Sequence, residues 1–205
     1  MFKELDNKGF TTKIIPFEDL AQTRITCIYG KPGTHWKSGK HDGIDFVNSG
    51  DKTILSVSDG KVIRSGLNKS WGEYVVILMA DGRSLVYAHM LTGSRKVAVG
   101  QSIKTGQQLG IMGSTGNSTG AHLHLELQKN YYQSGVTDDI AKFLGIKNEV
   151  GAISYLNNLN NEMTGAQALD VLSKKGVIGD TSYWKNAMQV VKNLEDLLIK
   201  IAKMA

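Results

Sequence analysis

Five histidines, His35, His41, His89, His122 and His124, are the side chains in this sequence best suited to bind a metal or move a proton near neutral pH. Four of them fall in three short settings. In His41-Asp42-Gly43-Ile44-Asp45, an extended backbone puts residues four apart on one face, so His41 and Asp45 point the same way. Imidazole and carboxylate are both good zinc ligands. In Gly120-Ala121-His122-Leu123-His124-Leu125-Glu126-Leu127, strict alternation predicts a strand. It would carry His122, His124 and Glu126 on one face and the three leucines on the other. Two histidines about 6.6–7 Å apart on such a face allow one to bind metal while the other stands over an open coordination position. Glu126 is then a candidate to orient an imidazole. In Tyr87-Ala88-His89-Met90, parity predicts that Tyr87 and His89 share a face and reach one groove.

Other chemistries are disfavoured. The loop Gly110–Gly120 is rich in glycine and small residues, which suits close backbone approach to a ligand. It lacks the Gly-Lys-Ser/Thr ending of a nucleotide-binding loop, and no His-Glu-x-x-His helix signature occurs. The single cysteine, Cys27, lies in the apolar run Ile25–Tyr29 and reads as a buried structural thiol. The net charge of +5 is scattered, with no Lys/Arg run and no interleaved aromatics, which argues against nucleic-acid binding. No stretch approaches the roughly 18 apolar residues of a membrane span. The first residues hold no apolar signal region, so the expectation is synthesis in the cytoplasm without a secretory signal.

The elements that must position these side chains are mostly strands. Glycine is abundant (23) and proline scarce (2). Thr53–Val57, Asp59-Gly60 and Lys61–Ser65 predict a hairpin closed by a type I′ turn. Glu73–Met79, Asp81-Gly82 and Ser84–His89 predict a second by the same logic. Further strands are expected at 97–99, 109–112 and 122–127, giving a mainly β, antiparallel domain. A short helical turn is expected at 138–144. The anticipated boundaries are 1–147 for the β domain, 148–162 for an Asn-rich connector and 163–205 for a two-helix C-terminal appendage. That appendage is expected to pack on the β domain or to pair two copies of the chain.

Together these strings resemble the lysostaphin/LytM-type zinc endopeptidases over residues 24–130. The segments carrying the likeness are "GKHDGIDF", "SVSDGKVIRSG", "GEYVVIL", "YAHM" and "VAVGQSIKTGQQLGIMGSTGNSTGAHLHLEL". The resemblance implies a small antiparallel β sandwich or roll of the LytM (duplicated hybrid motif) type. It implies that His41, Asp45 and His124 bind one zinc ion per chain, and that His122 and His89 act as acid/base groups or transition-state stabilisers. Tyr87, Asn117 and His35 are the further candidates to line a substrate groove. Met90 stands where the family commonly has leucine, and His35-Trp36 precedes the first motif. The implied substrate is the peptide part of bacterial peptidoglycan, and the absent signal suits a phage or prophage lysin. A non-catalytic scaffold or wall-binding module is the alternative, and loss of a ligand would favour it.

Overall fold

Alternation of apolar and polar residues is what builds the domain, because each strand must bury one face. In the computed structural model, residues 15–34, 36–131, 135–155 and 173 are described. The chain divides into two units, Met1–Tyr155 and Leu156–Ala205. Of the second unit only Ser173, which is helical, is described, so the two helices expected at 163–205 lie outside the described residues, as does His35. No helix among the described residues is long and apolar enough to cross a membrane.

The first unit is mainly β. Its strands are β1 (Thr23–Cys27), β2 (Gly43–Asn48), β3 (Thr53–Leu55), β4 (Gly60–Asn68), β5 (Gly72–Leu78), β6 (Ser84–Met90), β7 (Ser102–Ile103), β8 (Gln108–Ile111), β9 (Leu123–Gln128), β10 (Thr137–Asp138) and β11 (Gly151–Ala152), with one short helix, α1 (Ile140–Leu144), before β11. One antiparallel sheet runs β11-β1-β2-β9-β6-β5-β4-β7, with β10 also on β9, and β3 pairs with β8 in a second, two-stranded sheet. One large core takes Ile25, Ile44, Phe46, Val75, Ile77, Leu85, Leu123, Leu125 and Leu127 from the main sheet and Ile54 and Leu109 from the small one. The opposite face of β5 and β6 carries a smaller cluster of Tyr74, Val76, Val86 and Ala88. The α1 helix is capped as its sequence requires: Asp139 accepts from the Lys142 amide, and Gly145 closes it at φ +66°.

The β5–β6 hairpin forms as expected, although its turn is not type I′. Gly82 donates to the Met79 carbonyl and takes φ +86°, while Asp81 stays at negative φ, as in a three-residue loop with a bulge. The predicted hairpin over 53–65 does not form. β3 pairs with β8, and β4 pairs with β5 and β7. Asp59 turns its carboxylate to Lys104 and Thr105, and Gly60 is not in a left-handed conformation. Gly60 instead sits against β5, where a Cβ would meet Leu78 O and Ile77 Cγ2, each at 2.5 Å. Residues 97–99 are not a strand either; Ala98 and Gln101 form a turn into β7. Gly151–Ala152, within the stretch read as a connector, pair with Arg24 and Ile25 of β1.

Since Gly60 is fixed by close approach, Gly60→Ala is expected to lower the unfolding free energy by about 1–3 kcal/mol through overpacking. Urea unfolding checks this, and an unchanged midpoint would contradict the close-contact account.

Candidate metal and catalytic site

The main sheet brings Asp45 and His124 together by register. They are direct partners between β2 and β9, and on the other side His124 is paired with Ala88 of β6. His41 lies two residues before β2 and turns in to join them. His41 Nε2, His124 Nδ1 and Asp45 Oδ1 stand at 3.0, 3.1 and 2.8 Å from one another. Both imidazoles are almost fully buried, His41 at 1% and His124 at 7% exposure.

The partners of these groups fix their protons. His41 Nδ1 lies 2.9 Å from the Ile28 carbonyl, which can only accept, so Nδ1 carries the hydrogen and Nε2 a lone pair. His124 Nε2 lies 3.0 Å from Glu126 Oε1 and donates there, leaving a lone pair on Nδ1. Glu126 is itself held by Trp71 Nε1–H at 3.2 Å and Gln128 Nε2–H at 3.0 Å. Two lone pairs and a carboxylate oxygen therefore face one point, an arrangement that repels unless a cation lies among them. In the metal-free protein a proton takes the cation's place: burial presses His124 toward neutrality, but hydrogen bonds to Asp45 and Glu126 outweigh it and push its pKa up to about 10, so Nδ1 is then protonated toward Asp45. Burial pushes the Asp45 carboxyl up, yet the His124 and His41 rings beside it hold it well below the usual carboxylate range. The donor set fits zinc: two imidazoles and one carboxylate, with spacings near the about 3.3 Å expected between ligands some ~2.0 Å from a tetrahedral ion.

Two more histidines flank this cluster. His122 donates from Nδ1 to the Gly120 carbonyl at 2.8 Å, and its Nε2 is 3.7 Å from Asp45 Oδ1. The His89 ring lies 4.7 Å from that of His122 and 5.9 Å from that of His124, centroid to centroid. His89 Nδ1–H donates to the Thr115 carbonyl at 2.8 Å, so its opposite nitrogen bears the lone pair. Burial, reinforced by His124 and His122, lowers the His89 pKa to about 4. An open cleft of about 340 Å³ adjoins the cluster, lined by Cys27, Asp45, Val47, Gly120, Ala121 and His122, among others.

The structure thus brings His41, Asp45, His89, His122 and His124 together. It does not bring Tyr87. That side chain is fully buried in the core, where its hydroxyl accepts the Val57 amide at 2.9 Å. The parity argument fails because β6 bulges at its end: Glu73 opposes Met90 and Val75 opposes Tyr87, with His89 at φ +60°. Asn117 is exposed, and its amide donates to Ser70. Cys27 is not the buried structural thiol expected. It is half-buried, lines the cleft, and its sulfur lies within 4.8 Å of ligand atoms of His41 and Asp45. A second bulge, between Ile25 and Cys27, turns it from the core face onto the face of its partner Asp45. Trp36, which the sequence placed before the first motif without a role, packs its ring against that of His41 with centroids 4.9 Å apart.

Comparison with known proteins gives the same region. The family model described as Peptidase family M23 matches residues 39–136. "Glycyl-glycine endopeptidase ALE-1" of Staphylococcus capitis is 32% identical over 118 residues, 57% of this chain and 32% of that protein. "Peptidoglycan DD-endopeptidase ShyC" of Vibrio cholerae is 37% identical over 90 residues, 44% of this chain and 20% of that protein. The match spans less than a third of either relative's own length. Among solved structures, the catalytic domain of the antimicrobial peptidase lysostaphin from Staphylococcus simulans aligns with TM-score 0.56 and 29% identity, covering 61% of this chain and 94% of that one.

His89 is expected to remain neutral from pH 8 down to about 5 and to charge only as pH falls through about 4. Its folded value is depressed, so the unfolded chain takes up this proton first. This group's contribution to stability is present above the unfolded value of about 6.5 and lost as pH falls through that window. Ring-carbon NMR titration reads this directly, and a midpoint near 6.5 would contradict the burial argument.

Proposed function

The chain belongs to peptidase family M23 through its residues 39–136, and on that premise we propose that it is a zinc-dependent endopeptidase of bacterial peptidoglycan, a cell-wall lysin of phage or prophage type that cuts peptide cross-links or stem peptides. The observation that carries the reading is the convergence of His41 Nε2, Asp45 Oδ1 and His124 Nδ1 within 3.1 Å, with His122 lining an open cleft beside them and His89 next to His122. The names of ALE-1 and ShyC support wall peptides as the substrate class.

His41, Asp45 and His124 are the proposed zinc ligands, and three protein ligands leave a position for water or substrate. Zinc held there supplies a Lewis acid that acidifies water toward a pKa of about 7 and polarises a peptide carbonyl. Glu126 keeps the His124 ring in the ligating tautomer. His122 stands in the cleft wall with Nε2 toward Asp45, placed to take a proton at that atom from the attacking water and to return it to the leaving amine. His89, neutral and fixed through Nδ1, offers its other nitrogen as a hydrogen-bond acceptor that orients the reacting groups. Buried Ala88 and Val86 floor the face beside these groups and exclude water from it.

Incubation with purified peptidoglycan, following turbidity and newly released amines, tests the reading. Activity is expected to vanish on chelation and to return with zinc. His124→Ala is expected to lose both zinc and activity, whereas His122→Ala keeps zinc and loses about 10²–10⁴-fold in kcat. Wall hydrolysis undiminished by chelator, or by His124→Ala, would overturn it. Glu126→Gln is expected to weaken zinc binding about 10–100-fold, measured by competition with a chromogenic chelator.

A further inference from the structure

Among the described residues His89 is the only non-glycine with positive φ, and holding a residue there costs on the order of 1–3 kcal/mol. The His89 backbone is held by the Trp71 carbonyl, which accepts its N–H at 2.8 Å, and by the Gly113 N–H, which donates to its carbonyl at 3.0 Å. The His89 side chain and the bulge around it are held by Thr115 of the glycine-rich loop. Its carbonyl accepts the His89 Nδ1–H at 2.8 Å. Its hydroxyl donates to the Met90 carbonyl at 2.6 Å and accepts the Glu73 amide at 2.9 Å. Met90 follows His89, and Glu73 is its partner across the β5–β6 bulge, so one hydroxyl ties both strands at the irregular point. The loop is also backed by Gly72, at φ +61°, where a Cβ would lie 2.3 Å from Thr115 Oγ1 and 2.4 Å from its carbonyl oxygen. Only glycine fits there.

We infer that Thr115 is the positioning residue of the histidine pair: its hydroxyl locks the bulge, and its carbonyl thereby sets which nitrogen of His89 carries the hydrogen. Without the hydroxyl, the Met90 carbonyl and Glu73 amide lose this partner and Thr115 is freed from both strands, while Gly113 still ties the loop to the His89 carbonyl. The Thr115 carbonyl then leaves Nδ1, and the imidazole samples both tautomers and more than one ring orientation. Nε2 of His89 is then no longer always the acceptor. Serine supplies the same hydroxyl and should preserve the lock. Only the turnover readout of this inference rests on the peptidase reading.

The test uses the full chain, zinc-loaded, with Thr115→Ala and Thr115→Ser. Long-range proton–nitrogen NMR reads the His89 tautomer, and zinc content and steady-state hydrolysis of wall peptides are measured on the same samples. The expected result is a single Nδ1–H tautomer in the wild type and Thr115→Ser. In Thr115→Ala both tautomers appear, zinc content is unchanged, kcat falls about tenfold or more and KM stays within about twofold. A single Nδ1–H tautomer in Thr115→Ala would overturn the inference. So would an alanine variant that fails to fold or loses zinc, because Thr115 would then be a structural residue. If no form of the protein hydrolyses wall peptides, the peptidase reading fails while the tautomer comparison still decides the role of Thr115.

Discussion

Two imidazole lone pairs and a carboxylate oxygen lie within 3.1 Å of one another, and the rest of the domain is arranged so that they cannot move apart. Asp45 and His124 are neighbours by strand register, so their separation is set by backbone hydrogen bonds rather than by side-chain choice. Glu126 and the Ile28 carbonyl hold the far side of each ring and prevent the hydrogen from moving to the near side. The energy that maintains this convergence comes from the opposite face of the same strands. Ile44, Phe46, Leu123, Leu125 and Leu127 are all essentially fully buried there, each contributing about 1.5–3 kcal/mol. Alternation thus lets one strand stabilise with one face and bind with the other.

The departures from alternation are what complete the site. A bulge in β1 turns Cys27 toward Asp45, and a bulge in β6 turns His89 toward His122 and His124. Regular strands would have left both side chains in the core. A bulge re-aims one residue at the cost of local strain, which helps explain why the second is surrounded by hydrogen bonds from the glycine-rich loop. The same loop runs on through Ala121 into His122, so adjoining residues both buttress His89 and deliver its partner.

What was legible in the sequence follows from this. The β9 strand, its two faces and the place of Glu126 beside His124 could be read from period-two alternation alone, because nothing interrupts it there. The β5–β6 hairpin was legible from its flanking strands, although its turn was not. Tyr87 was misplaced because parity counting assumes a regular strand, and nothing local in Tyr-Ala-His-Met announces a bulge. Cys27 was misplaced because an apolar run and the burial habit of a free thiol say nothing of the bulge that turns it toward Asp45. Asp59-Gly60 carried a turn signal that was overridden by tertiary contacts: a lysine and a threonine 45 and 46 residues away took the carboxylate, and β5 took the space a Cβ would need. Such contacts are set by the whole fold and leave no mark in a short window.

The central claim is that the three converging atoms hold one divalent ion. Diffraction from zinc-soaked crystals, recorded on both sides of the zinc absorption edge, tests it most directly. The account predicts a single anomalous peak about 2.0–2.2 Å from each of His41 Nε2, Asp45 Oδ1 and His124 Nδ1. Zinc bound only elsewhere, with these three side chains undisturbed and no peak among them, would contradict it.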